Sequence, residues 1–264
     1  MIRLDRCSKY FHRGSVNEVI ALNRIDLDIP EGDFITVIGS NGAGKSTLLN
    51  CIAGSFFPDS GSITIDDKEV TNWPEYRRAR YLSRVFQDPL LGTCPSATIE
   101  QNLALANKRG QRRGLRPGVR TRDRQRFKKA LEQLGLGLED RLTDKVGLLS
   151  GGQRQALTML MATLIRPRVL LLDEHTAALD PKTAEQILTL TRNIVREQRL
   201  TTLMITHNMK HAISFGNRLI MLHQGRIILD VSGSEKERLT VEALLTRFYQ
   251  TQGEELSLDS MLLA

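Results

Sequence analysis

A glycine-rich segment between a short apolar stretch and a helical pattern sets the fold class of this chain. Phe34 to Ile38 form the apolar stretch, and Lys45 to Ile52 have helical spacing. The segment matches GxxxxGK[ST] in full, with the sequence Gly39-Ser40-Asn41-Gly42-Ala43-Gly44-Lys45-Ser46. Glycines let the backbone curl with its N–H groups inward, and a helix start attracts anions. A chance glycine-rich turn is a minor alternative here, and the segment predicts a polyphosphate site.

Two side chains of this segment suit a nucleoside triphosphate. Lys45 supplies a cation at the β and γ phosphates, and the Ser46 hydroxyl can ligate Mg²⁺. We include the neighbouring Thr47 in the predicted site. The loop alone does not separate a kinase, a GTPase, a helicase and a transporter motor.

The rest of the chain alternates strand and helix patterns. Ile25, Leu27 and Ile29 alternate with polar residues, while Val169 to Leu172 and Leu203 to Ile205 read as buried parallel strands. Helical patterns flank the buried strands, and Gln224-Gly225 marks a hairpin turn. These features predict an α/β fold with a largely parallel sheet.

The apolar runs, the cysteines and the net charge indicate the cellular compartment and the classes of partner to expect. No apolar run approaches the ~18 residues of a spanning helix, and the N-terminus has no apolar signal core. We therefore expect a cytoplasmic protein that other chains hold at any membrane. Cys7, Cys51 and Cys94 are scattered, which favours reduced structural thiols. The net charge of +7 alone is compatible with nucleic acid, with anionic lipid or with neither.

Two acids end the apolar strand of residues 169–172. Asp173 is expected to hold Mg²⁺ directly or through water, and Glu174 to act as general base or at least to orient the attacking water. An N-capping acid pair is an equally good reading of the two residues alone, and a minor one beside the phosphate loop.

The chain's likeness to a known family rests on a third motif. Its sequence is Leu149-Ser150-Gly151-Gly152-Gln153, at the start of a helical stretch, and by itself it is usually just a turn. The order of phosphate loop, LSGGQ and LLLDE resembles the ABC transporter ATPases, from about residue 1 to residue 230. The resemblance implies a P-loop NTPase (RecA-like) core with a largely parallel sheet, an N-terminal antiparallel β subdomain and an inserted α-helical subdomain.

The resemblance also assigns the remaining site residues. Asp180 resembles the family's D-loop residue, and His207 its switch histidine, which contacts the γ phosphate. Gln87 matches the Q-loop glutamine, which senses Mg²⁺ and water. Phe11 occupies the place of the aromatic residue that stacks on adenine, although core packing competes and Tyr10 is an alternative.

By the same resemblance the whole chain is one ABC ATPase domain. Residues 1–87 with 150–235 would form the nucleotide-binding core and β subdomain, 88–149 the helical subdomain, and 236–264 a C-terminal helix and tail. The signature loop of one copy would cover the nucleotide of another, so that ATP joins two copies and hydrolysis separates them.

The implied partners are transmembrane permease subunits and an extracytoplasmic solute-binding protein acting through them. The chain would lie peripherally on the inner face of the cell membrane and drive import of an amino-acid-like solute. A soluble ABC ATPase acting on the ribosome or DNA, or the motor of a lipid or drug exporter, is the alternative. A P-loop kinase or GTPase is disfavoured by LSGGQ and Gln87.

Three features depart from the family pattern or lie outside it. His175 stands where many relatives carry proline, and retained activity is expected because the chemistry does not require this residue. The sequence Arg154-Gln155-Ala156-Leu157 replaces a common Gln-Arg-Val pattern. This second departure leaves the subfamily open but not the enzyme class. A basic segment, opposed within its sequence by Asp123 alone, is equally well a solvated loop or a contact with anionic headgroups. Binding of nucleic acid is disfavoured because Phe127 is the only aromatic residue within the segment's sequence. Its members are Lys108, Arg109, Arg112, Arg113, Arg116, Arg120, Arg122, Arg124, Arg126, Lys128 and Lys129.

Overall fold

A computed structural model describes residues 1–111 and 118–252. The strands are β1 (Ile2–Phe11), β2 (Val19–Ile29), β3 (Phe34–Ile38), β4 (Ser60–Ile65), β5 (Lys68–Glu69), β6 (Leu82–Val85), β7 (Val169–Asp173), β8 (Thr201–Ile205), β9 (Arg218–His223) and β10 (Arg226–Ser232). The helices are α1 (Lys45–Ala53), α2 (Glu75–Arg78), α3 (Ile99–Asn107), α4 (Thr121–Glu132), α5 (Gly151–Thr163), α6 (Pro181–Gln198), α7 (Met209–Ser214), α8 (Gly233–Glu237) and α9 (Val241–Gln252).

These elements pack into two compact units. The first contains residues 1–74 and 201–252, and the second contains Glu75–Leu200. The division differs from the segments predicted from sequence, whose boundaries remain predictions. The predicted tail beyond residue 252, and Arg112, Arg113 and Arg116 of the basic segment, lie outside the described residues.

An antiparallel sheet of the first unit has the strand order β2-β1-β4-β5. Ile2 lies at its centre, opposite Ile29 on one side and Ile65 on the other. The alternation predicted for β2 is present, because Ile25, Leu27 and Ile29 are buried while the residues between them are exposed. This sheet is the predicted N-terminal antiparallel β subdomain.

The second sheet of this unit carries the glycine-rich loop. Strand β3 lies between β8 and β9 and runs parallel to both, while β9 and β10 form an antiparallel hairpin. All five residues of β3 are buried, which is why the strand reads as a continuous apolar run. Helices α7 and α9 contribute to its apolar cover, with Ala212, Leu244 and Phe248 packed against Ile38 and Met221.

The second unit combines a parallel strand pair with a helical core. Strands β6 and β7 pair in parallel, with Val85 opposite Leu172. Helices α3, α4 and α5 contact one another and share an apolar cluster around Phe127, Leu131 and Leu157. The parallel pairs, the antiparallel N-terminal sheet and these helices confirm the predicted α/β fold class.

The structure bears on the cysteines and on whether any helix could span a membrane. Cys7 and Cys51 are buried and Cys94 is exposed, and none of the three is in a disulfide. No helix within residues 1–111 and 118–252 combines the length and the apolar character needed to cross a bilayer.

Candidate nucleotide site

The glycine-rich loop connects β3 to α1 in a conformation that two of its glycines make possible. Gly39 and Gly44 have φ values of 148° and 101°. A Cβ atom at Gly39 would lie 2.2 Å from the carbonyl oxygen of Leu222, and one at Gly44 would lie 2.3 Å from that of Ala21. Any side chain at either position would therefore collide with the backbone of β9 or β2.

Lys45, the first residue of α1, is hydrogen-bonded back to this loop. Its side chain is buried, and Nζ donates hydrogen bonds to the carbonyl oxygens of Gly39 at 2.7 Å and Ser40 at 2.9 Å. The first N–H groups of α1 have no acceptor within the helix, and the helix dipole makes this end positive. The loop thus presents an ammonium group and backbone donors together, which suits a polyphosphate.

His207 lies at the same edge of this sheet. Strands β3 and β8 are parallel and in register at Val37 and Ile205, so the phosphate loop and His207 both follow the carboxyl ends of neighbouring strands. The Asn208 side chain caps α7 by accepting a hydrogen bond from the His211 N–H at 3.1 Å. His207 itself is exposed.

The two candidate adenine-stacking rings have different surroundings. Phe11 packs edge-on against Phe56, with 5.4 Å between ring centroids, and Lys9 Nζ lies 5.8 Å from its ring. The guanidinium of Arg13 lies 5.1 Å from the ring of Tyr10. Both rings are half-buried, so the choice between them stays a prediction.

In the second unit, Asp173 is held by a cation that sequence reasoning missed. Arg84 Nη2 lies 2.5 Å from Asp173 Oδ2, and the two side chains are only 10% and 14% exposed. The Arg84 guanidinium also stacks 4.7 Å from the ring centroid of Phe86. The available signal was an arginine inside an otherwise buried strand, because a buried charge requires a partner.

Gln87 and Glu174 lie just beyond this strand pair. Because Val85 pairs with Leu172 in parallel register, the two residues follow the carboxyl ends of adjacent strands, and Asp173 is the last residue of β7. Gln87 is exposed, and Glu174 has a φ of 46°. A left-handed conformation is uncommon for a residue with a side chain and requires support from its surroundings.

His175 supplies part of that support. Its side chain is 2% exposed, and Nε2 lies 3.0 Å from Thr191 Oγ1 in α6. Thr191 Oγ1 already donates its proton to the carbonyl oxygen of Ile187 at 2.8 Å, so His175 Nε2 carries the hydrogen between them. The residue that departs from the common proline is therefore a buried link between the end of β7 and α6.

The LSGGQ motif begins α5 as a reciprocal capping box. Ser150 Oγ accepts from the N–H of Gln153 at 3.2 Å, and Gln153 Oε1 accepts from the N–H of Ser150 at 3.3 Å. Ser150 and Gly151 are exposed. The first N–H groups of α5 have no acceptor within the helix, so this end also suits an anion.

Asp180 lies near this helix start. A Cβ atom at Gly152 would meet Thr183 Cγ2 at 2.2 Å, so the beginnings of α5 and α6 approach closely. Asp180 caps α6 by accepting from the N–H of Thr183 at 3.1 Å, and its hydrogen bonds with Thr183 hold the pKa of the Asp180 carboxyl below its usual value. A cavity of about 820 Å³ is lined by Ser150, Gly152, Gln153 and Thr183 among others.

Comparisons with known proteins agree with this geometry. A family model described as ABC transporter matches residues 22–177. The chain is 49% identical to a tyrosine transport ATP-binding protein of Clostridioides difficile (strain R20291), over 94% of this chain and 98% of that protein. It is 34% identical to the thiamine import ATP-binding protein ThiQ of Shigella flexneri, over 87% and 93% of the two chains.

Solved structures show the same fold. The ATP-binding cassette MJ0796, solved as a dimer in a post-hydrolysis state with ADP and phosphate, matches with a TM-score of 0.74 and 30% identity. The match covers 88% of this chain and 98% of that one. The phosphate loop, the acidic strand end and the LSGGQ helix start thus occur in a chain that belongs to the ABC transporter family, as one of its ATP-binding ATPases.

Proposed function

We propose that this ATPase drives an uptake system, in which two copies act with separate permease subunits to import an amino-acid-like solute. The near full-length match to a tyrosine transport ATP-binding protein carries the proposal. Relatives at lower identity are named for import of thiamine and of aliphatic sulfonates. Their names support uptake in general but do not point to one solute.

The phosphate loop has the features required to bind the phosphates of ATP. Lys45 would give up its contacts with the Gly39 and Ser40 carbonyls, or share them, and bind the β and γ phosphates as a point charge. The backbone N–H groups at the start of α1 would hold the remaining phosphate oxygens. Phe11 or Tyr10 would stack on adenine, and His207 would contact the γ phosphate.

The predicted metal ligands fit Mg²⁺ in their chemistry. Ser46, Gln87 and Asp173 offer hydroxyl, amide and carboxylate oxygens, which are the donors that Mg²⁺ prefers. A carboxylate has about four lone-pair positions, so the pairing of Asp173 with Arg84 leaves positions for an ion or its water. When bound, Mg²⁺ would neutralise charge on the phosphates during transfer.

Glu174 would accept a proton from the attacking water or orient it. Its left-handed backbone and the buried His175 beside it fix where the carboxylate leaves the strand. Catalysis would then be largely positioning and electrostatic stabilisation by fixed groups, as is general for phosphoryl transfer.

We place the LSGGQ motif against the nucleotide of a second copy. Ser150 and Gly151 are exposed at the start of α5, and Asp180 is exposed at the start of α6. Both helix ends are therefore accessible to another chain. The dimeric state of the MJ0796 structure supports the pairing of two copies.

Permease binding is assigned to the second unit. Leu90 and Leu91, neighbours in the sequence, are 43% and 70% exposed, and Leu105 is 49% exposed. Contact with a permease would cover this surface and hold the chain peripherally on the cytoplasmic side of the membrane. A solute-binding protein would act through the permease.

Substitution of Lys45 tests the nucleotide site. Lys45→Ala is expected to abolish measurable ATP hydrolysis and to weaken Mg²⁺–ATP binding, because the cation at the phosphates is lost. Lys68→Ala, which removes an exposed lysine from the same unit, is the matched control and should hydrolyse ATP normally. Wild-type turnover by Lys45→Ala would exclude the assigned site.

Reconstitution tests the transport function. The chain, its permease and its solute-binding protein would be placed in vesicles, and ATP hydrolysis and solute entry measured together. Amino acids including tyrosine should stimulate both, whereas thiamine and aliphatic sulfonates should not. Stimulation by thiamine or a sulfonate alone would refute the amino-acid-like solute, and efflux in place of entry would refute uptake.

A further inference from the structure

Helix α4 carries a row of cations on its outward face. Phe127 and Leu131 are fully buried and fix which side of the helix faces the core. Arg122, Arg126 and Lys129 lie on the opposite side, at i, i+4 and i+7, and all three are exposed. We call these three residues the α4 stripe.

The fold neutralises the cations beside the stripe and leaves the stripe charged. Arg124 binds Glu100 through two hydrogen bonds of 2.7 and 3.0 Å, and Lys128 Nζ lies 2.7 Å from Asp140 Oδ1. Those carboxylates raise the pKa of both side chains. Asp123 is the only acid within the basic segment's own sequence, but in the structure Glu100 and Asp140, from elsewhere in the chain, also neutralise two of its cations.

The stripe itself has only neutral partners. Arg126 donates to Asn107 Oδ1 at 3.1 Å and to the carbonyl oxygen of Leu164 at 3.5 Å. Within the described part of the chain, no carboxylate lies within ion-pair distance of Arg122, Arg126 or Lys129. Arg109 differs again, since it is directed inward to Ser83 and to the carbonyl oxygens of Ala162 and Ile165.

The shape of the stripe fits an extended anionic surface better than a single anion. Seven residues of helix rise by about 10 Å, which is too long for one phosphate to contact both ends. No exposed aromatic ring lies between the three cations, so a stacked single strand of nucleic acid has no platform there. The proposed function, on which this inference rests, places the chain beside permease subunits and so within reach of phospholipid headgroups.

We propose that the α4 stripe binds the anionic headgroups of the membrane surface and so orients the second unit toward it. Each basic residue near such a surface strengthens binding about fivefold. Loss of all three is therefore expected to weaken binding on the order of 100-fold. Binding should also weaken as salt is added, because exposed charges are screened.

The test uses the purified full chain and sedimentation with vesicles. One vesicle set is phosphatidylcholine, and the other has equal parts phosphatidylcholine and phosphatidylglycerol. The stripe variant combines Arg122→Gln, Arg126→Gln and Lys129→Gln. The matched control combines Arg3→Gln, Lys68→Gln and Arg238→Gln, which removes the same charge from exposed positions of the first unit. ATP binding by each variant reports that it is folded.

The proposal expects salt-sensitive binding to phosphatidylglycerol vesicles that the stripe variant loses and the control keeps. Equal binding to both vesicle types, or equal loss in the two variants, would overturn it. An RNA or DNA duplex would be added as a competitor. If the duplex displaces the wild-type chain from vesicles, and binds the wild type more tightly than the stripe variant, the stripe is assigned to nucleic acid instead. This test does not depend on which solute is transported.

Discussion

At the scale of single residues, Glu174 shows how the fold fixes the backbone of the proposed general base. Its positive φ is unfavourable by itself, and the next residue, His175, is buried and hydrogen-bonded to Thr191. Strain of this kind persists only where neighbours determine the conformation. A proline at this position, as in the family pattern, would offer no side-chain hydrogen bond to Thr191.

Glu174→Gln is expected to bind ATP nearly normally and to hydrolyse it roughly 10²–10⁴-fold more slowly. Glutamine keeps the shape of the strand end but cannot accept the proton of the attacking water. Steady-state hydrolysis and equilibrium ATP binding would be measured together. Glu197→Gln, an exposed acid on α6, is the control, and an unchanged rate in Glu174→Gln would remove the role given to that carboxylate.

The buried Lys236 is expected to make the free energy of unfolding depend on pH. Its side chain is 3% exposed and donates to the carbonyl oxygens of Phe215 and Gly216, and burial lowers its pKa from 10.5 to about 8. Between these two values the unfolded chain binds more protons than the folded chain, so the free energy of unfolding should rise with pH. The slope is at most about 1.4 kcal/mol per pH unit.

Comparison with Lys236→Met isolates this effect from other titrating groups. The free energy of unfolding of the wild type, measured by urea denaturation, should rise relative to the variant between pH 8 and 10.5. Below pH 8 the difference between the two proteins should be constant. A difference that falls with rising pH would contradict the lowered pKa.

At the scale of elements, the ion pair between Arg84 and Asp173 joins β6 to β7. The pair is largely buried, and removing one partner of a buried pair costs about 3–5 kcal/mol because the other charge is left uncompensated. Arg84→Met should lower the free energy of unfolding by about that amount. Arg84→Met with Asp173→Leu should recover most of it, since neither charge is then buried alone.

Urea denaturation without nucleotide would measure both variants. The double variant is read for stability only, because Asp173 is a proposed magnesium ligand. If Arg84→Met and the double variant were equally destabilised, the pair would not be a coupled unit.

Some of these strands and helix starts could be predicted from the sequence and others could not. The continuous apolar runs of β3 and β7 could be predicted, because fully buried parallel strands have that pattern. Strand β6 has only four residues, and its Ser83 and Arg84 hide the apolar pattern. The capping box of Ser150 and Gln153 follows from their spacing, but the close packing of Gly152 against Thr183 depends on a tertiary contact.

At the scale of the whole molecule, the proposed pairing of two copies makes a further prediction. Glu174→Gln should accumulate as a dimer with ATP and Mg²⁺, because binding is retained while hydrolysis is slow. Adding Ser150→Arg should keep it monomeric by placing a bulky cation at the exposed start of α5. Size-exclusion chromatography with and without ATP would report the change.

Thr98→Arg in the Glu174→Gln background is the matched control for this experiment. Thr98 caps α3 with the same reciprocal arrangement, through Gln101, so its replacement removes an equivalent cap from another helix of the same unit. The control should still dimerise. A monomeric control would indicate that cap loss rather than the signature motif prevents pairing, and a dimeric Ser150→Arg variant would refute the two-copy site.

Much of the site could be predicted because its motifs are local. Lys45 and His207 come after the ends of strands and Asp173 ends one, and a short segment around each residue is informative by itself. Arg84 and Thr191 could not be predicted in their roles, because each acts through a partner far away in sequence. The division into two units likewise depends on packing rather than on composition.

The close approach of the phosphate loop to its neighbours has an evolutionary consequence. Gly39 and Gly44 are required by the backbones of β9 and β2, whether or not a nucleotide binds. A descendant that lost its enzymatic activity but kept this fold would still be selected to retain both glycines. Lys45 and Glu174 already carry a Cβ atom, so no backbone clash of this kind excludes other side chains at their positions. Their loss, rather than the loss of glycine, would therefore mark an inactive descendant in a genome.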